Sequence, residues 1–240
     1  MKKVTSAALL ALKLTWGEAL GVFLGAGAAQ LFDVSRELMP GGVPLQAAFG
    51  FENLLYTAVA PAGGWFAIVL MIVLLLSAGA SRGSKTIYTM NRLGLSEMQI
   101  TFVFGGVFSL YFLLYWAFQL LLAYGFFAWY SRFSLVSSTG FMLAAWRSEW
   151  LHLLLPLGEW LGYLRNAVVC VSFGLCTAFG VQRRRHGKFP LELLVPVVLC
   201  LFLLSGRIVN QLELMLSILL ILWTVCAYFL TKGGEDDEIL

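Results

Sequence analysis

The sequence predicts an all-α, polytopic membrane protein: six transmembrane helices, an N-terminal interfacial helix and one short helix in a cytoplasmic loop. Three observations carry that reading. Of the 240 residues, 60% are hydrophobic and only 12% are charged, with a mean hydropathy of +0.85; water-soluble domains carry roughly 25% charged residues. The apolar residues fall in continuous runs near bilayer length rather than in alternating strands, which argues against a barrel. Between two of those runs lies a polar island, residues 80–99, reading ASRGSKTIYTMNRLGLSEMQ.

Residues 1–14 open with Lys2 and Lys3 and continue rich in alanine and leucine. Ala26-Gly27-Ala28 looks like a cleavage site, but Lys13, Trp16 and Glu18 interrupt the apolar core that a signal peptide needs. An interfacial entry helix leading into a first span near 16–32 fits better, with Lys13 snorkelling and Trp16 in the aromatic belt. Residues 33–60 form an outer segment containing Pro40-Gly41-Gly42 and Pro44, with a short helix over 51–56 resting on the surface. A second span near 61–79 delivers the chain to the polar island. The third, near 100–127, is long for a bilayer and should tilt or project outward.

Residues 131–160 make a second outer segment. Pro156 should end any helix there. A short re-entrant piece fits better than a crossing, which would bury Arg147 and Glu149 at high cost. The fourth span, near 161–181, stops at Gln182-Arg183-Arg184-Arg185-His186-Gly187-Lys188. The fifth, near 190–206, starts at Pro190 with Glu192 in its first turn, and Pro196 should kink it. The sixth lies near 212–230. Residues 1–232 are thus one transmembrane domain, and 233–240 an acidic tail.

With the N-terminus inside, eleven lysines and arginines fall on the cytoplasmic side and five on the outer side. The positive-inside rule then makes both termini and the polar island cytoplasmic in a multi-pass cell-membrane protein. Wound as a helix, the island carries Lys85, Tyr88, Thr89 and Arg92 on one face and Ile87 and Met90 on the other. Gly94 supplies a helix stop, and Ser96-x-x-Gln99 matches a capping box opening the next helix.

Several patterns have bland readings. The string Gly79-Ala80-Ser81-Arg82-Gly83-Ser84-Lys85-Thr86 brushes against a phosphate-binding loop, but Ser84 stands where glycine is required and a bilayer-length run precedes it. Cys170, Cys176, Cys200 and Cys226 sit in apolar runs without metal-ligand spacing. His152 and His186 fall on opposite sides of the membrane, so they cannot share a site, and no hydrolase motif occurs. His152 reads as an interfacial residue beside Trp150. The basic cluster 183–188 reads as the inner stop of a span against anionic lipid. Arg147, Glu149, Glu159 and Arg165 either pair to hold the outer segment together or serve a substrate or lid. Arg165 and Asn166 should point into the bundle rather than at lipid. Gly21-x-x-x-Gly25 permits close helix approach, within the subunit or at a dimer seam.

With six spans, an entry helix and a basic helix in the first cytoplasmic loop, the chain resembles the permease subunit of type-two ABC exporters, of the small bacterial kind. The string 83–96, GSKTIYTMNRLGLS, is similar to the family's coupling-helix loop, and 147–157, RSEWLHLLLPL, to segments of small bacterial permeases. The resemblance implies that Lys85, Tyr88, Thr89 and Arg92 contact a cytoplasmic ATPase dimer. It also implies a second permease subunit, identical or homologous, with ATP bound only by the partner and no cofactor in this chain. Arg147, Glu149, His152, Arg165 and Asn166 become candidate outer-gate or substrate-path residues. The partners are then the ATPase, a permease copy and the lipid bilayer, not nucleic acid, and the chain itself is not an enzyme. The connection 206–211 leaves no room for the re-entrant helices that larger lipid and polysaccharide exporters carry before their last span. A non-transporting sensor or assembly subunit is the alternative, and an intramembrane enzyme a more distant one.

Overall fold

The structure, a computed structural model, describes residues 2–39, 50–51, 54–55, 60–81, 94–132, 140–203 and 210–236. They form helices α1 (Lys2–Leu38), α2 (Ala60–Ser81), α3 (Glu97–Tyr130), α4 (Phe141–Arg147), α5 (Glu149–Leu154), α6 (Trp160–Arg185), a 3-10 turn (Leu191–Leu193), α7 (Leu194–Leu203) and α8 (Asn210–Asp236), with no strand among the described residues. Helices α1, α2, α3, α6 and α8 are each long and apolar enough to cross a membrane. The fifth expected span is represented by the 3-10 turn and the ten residues of α7. Pro196 lies inside α7, whose described residues run on as helix.

The N-terminal stretch differs from expectation. Residues 2–38 are one unbroken helix of 37 residues, with no boundary between an entry helix and the span near 16–32. The reason lies in small residues at helical spacing. Ala7, Ala11, Thr15 and Ala19 recur every four positions and are all buried against the bundle, so the first turns dock rather than lie apart. Thr15 also reaches Tyr111 of α3 at 3.3 Å.

Helix α3, 34 residues long, is the axis of the bundle. At a rise of about 1.5 Å per residue it spans about 50 Å, well beyond a hydrocarbon core of about 30 Å. Its first two-thirds belong to a core built with α1, α2 and α6, including Phe104, Phe108, Phe112 and Phe173. Its last turns belong to a second core, where Ala123, Phe126 and Tyr130 meet Val34 and Leu38 of α1 and the α4–α5 pair. Phe51, Leu54 and Leu55, expected on the surface, are helical and buried in this second core. Phe51 packs edge-on to Phe127 at 5.4 Å.

Helices α3 and α6 approach closely because two glycines remove the side chains that would hold them apart. A Cβ on Gly174 would run into the backbone of Ser109, and one on Gly105 would strike Leu175. Ser109 donates to Gly105 O at 2.8 Å and reaches across the seam to Val171 O at 3.3 Å. By contrast Gly17, Gly21 and Gly25 on α1 have open space where a Cβ would stand, whereas Gly27 faces Phe118. Packing within the subunit therefore does not account for Gly21-x-x-x-Gly25.

Helix α8 is attached along one stripe. Leu220, Ala227 and Thr231 are buried, while Met215, Leu222 and Phe229 are exposed.

Gly174→Leu should separate α3 from α6 and cost about 1–3 kcal/mol or more. It should lower the melting temperature in detergent, whereas Gly106→Ala on the open side of α3 should be neutral or stabilising by up to about 1 kcal/mol. Equal melting of Gly174→Leu and the parent would remove this account of the seam.

Candidate functional site

The sequence carries two candidate regions, of which the structure describes one. Lys85, Tyr88, Thr89 and Arg92 fall in 82–93, outside the described residues. The residues just beyond that stretch carry the punctuation expected of them. Gly94 takes φ 61, the left-handed conformation that favours glycine. Ser96 caps α3: its Oγ accepts from Gln99 N at 3.2 Å, while Gln99 Oε1 accepts from Ser96 N at 3.1 Å.

The other region is the pair α4–α5. Ser148 sits between the two helices, ending α4 with its N–H on Ala144 O and starting α5 as N-cap, its Oγ accepting from Leu151 N. Pro156 lies two residues beyond the last residue of α5, as the ring's missing N–H requires. Gly158 turns the chain at φ 82, and α6 begins at Trp160.

A six-residue helix stopped in apolar surroundings leaves carbonyls that water would otherwise satisfy. Here side chains of α6 and α3 do so. Leu153 O accepts from Arg165 Nη2 at 3.0 Å and from Asn166 Nδ2 at 2.9 Å. Leu154 O accepts from Trp116 Nε1 at 3.1 Å. Asn166 Oδ1 in turn accepts from Arg165 Nε at 3.1 Å and Nη2 at 3.0 Å, which holds the guanidinium against the amide. Arg165 is only 3% exposed. Its positive charge against the C-terminal end of α5 is the favourable sense for the helix dipole. Arg165 and Asn166 thus point into the bundle, as expected.

The remaining candidates separate. His152 approaches Glu159 at 3.7 Å across the Pro156–Gly158 turn, a distance that matters electrostatically only with the imidazole protonated. Arg147 and Glu149 flank Ser148 and are exposed. His186 stands at the other end of α6 from His152. Among the described residues no three of His, Cys, Asp and Glu gather as metal ligands.

Beneath α5 lies a cleft between α2, α3 and α6, walled by Trp65, Phe112, Trp116, Trp150 and Phe173. Tyr115, Gln119 and Asn166, which line it, are already engaged. Tyr115 OH donates to Gly64 O at 2.9 Å and accepts from Gln119 Nε2 at 2.8 Å; Gln119 Oε1 accepts from Gln30 Nε2 at 3.0 Å. Asn166 is spent on Leu153 and Arg165. A cleft of this kind accepts apolar matter; its lining includes the Cys170 thiol but no Asp, Glu, His or Lys. Comparison with protein-family models, with curated proteins and with solved structures gives no match.

Two features escaped the sequence reading. One is the chain Gln30–Gln119–Tyr115–Gly64, which ties α1, α3 and α2; the signal was two lone amides inside apolar runs. The other is Glu192, read as a helix-start carboxylate. It is fully buried and accepts from Arg183 Nη1 at 3.0 Å, while Glu192 O accepts from Trp223 Nε1 at 3.0 Å. The basic cluster at 183–188 is accordingly more than a stop against lipid.

Arg165→Leu should remove two donors from α5 and Asn166 and cost about 1–3 kcal/mol. Hydrogen exchange at the amides of α5 should accelerate while the centre of α3 stays protected, and Arg165→Lys should fall between. Unchanged exchange in α5 would show that the latch does not hold it.

Proposed function

We propose that this chain is the membrane-spanning permease subunit of an ATP-binding-cassette transporter of the type-two exporter kind, driven by a separate ATPase. The observation that carries the reading is the polar, aromatic-bearing segment 82–95 set between two membrane-length helices, closed by Gly94 and the Ser96–Gln99 capping box. Such punctuation suits a short, separate helix with a contact face of Lys85, Tyr88, Thr89 and Arg92. With six crossings and a cytoplasmic N-terminus, that face lies in the cytoplasm by the positive-inside count. ATP is bound and hydrolysed by the partner. Its closure moves the segment and shifts the membrane helices between inward and outward access, which requires the ATPase to favour one state over the other.

The core of one subunit is filled with side chains, so the transport path runs between two subunits, identical or homologous. The face of α1 carrying Gly17, Gly21 and Gly25, open at every Cβ, is the natural seam, since small residues let helices approach closely in lipid. Arg165 and Asn166, through α5, set the position of the outer segment that borders the path, with His152, Arg147 and Glu149 on its rim. The apolar cleft suits an amphipathic or hydrophobic export substrate better than a charged one. A membrane sensor or assembly subunit is the competing reading, favoured by the engagement of Tyr115, Gln119 and Asn166 in that cleft.

Co-purification from detergent discriminates. An ATPase that stays bound to the parent and is lost from the Tyr88→Ala, Arg92→Glu double variant supports the permease; a parent that carries no ATPase supports the sensor. Thiol labelling of cysteines placed at Tyr88 and Arg92 from the cytoplasmic side only is the expected sidedness, and labelling from outside would overturn it. Oxidation should cross-link Gly21→Cys into a dimer and leave Gly27→Cys monomeric.

A further inference from the structure

Helices α2 and α3 flank the segment 82–93 in sequence and share few contacts with each other, Tyr115 OH on Gly64 O among them; both pack on α1 and on α6. Where they come nearest that segment, the last turn of α6 and the residue after it stand between them and hold both. Arg185 donates from Nε to Gly79 O at 3.2 Å, one of the carbonyls that the end of α2 leaves without a helical partner. Its guanidinium lies over the Phe104 ring of α3, 5.2 Å from the centroid. One turn back on α6, Gln182 Oε1 accepts from Thr101 Oγ1 at 2.7 Å. One residue beyond the helix, His186 Nε2 meets Glu97 Oε2, in the first turn of α3, at 3.2 Å. Steric fit reinforces the polar contacts, since a Cβ on Gly79 would press into Val181 at 2.8 Å.

The same helix end is tied onward. Arg183 and the buried Glu192 connect it to the 3-10 turn, and Trp223 connects that turn to α8. The end of α2 and the start of α3 are thus both held by side chains at the end of a helix 81 to 106 residues further along the chain.

We propose that the C-terminal turn of α6, through Arg185 and Gln182 with His186, is the positioning element that spaces the two ends of the 82–93 segment. It also receives the movement of that segment and passes it through Arg183 and Glu192 to the 3-10 turn and α8. The spacing half stands on the contacts above; the transmission half rests on the permease reading. Arg185 is a positioning residue here, acting on the segment through Gly79 and Phe104. Arg184, its exposed neighbour, has no part in the clamp.

The experiment uses the full chain with its four cysteines changed to alanine and spin labels on Ser77→Cys of α2 and Gly106→Cys of α3, both exposed positions. Pulsed electron–electron resonance in nanodiscs should give one narrow distance in this parent and in Arg184→Ala. It should give a longer or clearly broader distribution in the Arg185→Ala, Gln182→Ala double variant, with Arg185→Lys between. Gly79→Val, which attacks the fit without removing a charge, should widen the spacing too. Superimposable distributions for parent and double variant, both monodisperse, overturn the proposal. In the complex with its ATPase, ATP should shift the distance in the parent. The double variant should keep the ATPase bound but lose the shift, with ATP-dependent coupling down roughly 5-fold or more. A full ATP-driven shift in the double variant overturns transmission. Failure of any ATPase to bind the parent overturns the permease reading and transmission with it, while the spacing claim is still decided by the first measurement.

Discussion

The close approach of α3 and α6 is the constraint on which the remaining packing depends. Ridges of ordinary side chains keep helix axes apart by about 8–10 Å; Gly105 and Gly174 remove those ridges where the two helices meet. Ser109 then reaches from one helix to the backbone of the other. Because α6 lies tight against α3, its two ends reach other helix ends: Arg165 and Asn166 at α5, Arg185 and His186 at the end of α2 and the start of α3. A looser seam would withdraw all four side chains from their partners together.

Burial in surroundings without water favours a partner within the protein, and several side chains find one in the backbone groups that helix ends leave over. Arg183 Nε, Arg185 Nη2 and Glu192 Oε2, by contrast, have no hydrogen-bond partner among the described residues. Leu153 and Leu154 O at the end of α5 and Gly79 O at the end of α2 each accept from a side chain of another helix, and Gly64 O, in the early turns of α2, accepts from Tyr115 as well. Buried Arg, Asn, Trp and Tyr side chains therefore serve as ties between segments. That use makes Arg165 a fixture of α5 as well as a candidate for the substrate path. The two readings need not compete, since a residue that positions the outer segment also sets whatever passes beneath it.

A single 26-residue helix, α6, carries the Arg165 and Asn166 contacts with α5 at one end and the Arg185 and Gln182 contacts with α2 and α3 at the other. In an ATP-driven permease this arrangement would join the cytoplasmic contact to the outer gate through one element, rather than through the helices that border the contact in sequence.

Composition and run length were enough to establish membrane helices, because hydrocarbon solvation depends on local apolarity and bilayer thickness alone. Local backbone chemistry was equally legible. The stop at Pro156, the capping box of Ser96 and Gln99 and the turn at Gly94 are decided within a few residues of themselves. The inward direction of Arg165 and Asn166 was also legible, from the cost of facing them to lipid. Tertiary structure alone decided that residues 2–38 run as one helix, that Phe51 and Leu55 are buried, that Gly21 and Gly25 face away from the bundle and that Arg185 and Glu192 turn inward. Each of those depends on which distant residue lies opposite: Thr15 meets Tyr111, Gly79 meets Arg185, and Glu192 meets Arg183 and Trp223. The partner of a side chain across a helix seam is fixed by interhelical register, and no spacing along a single helix encodes it.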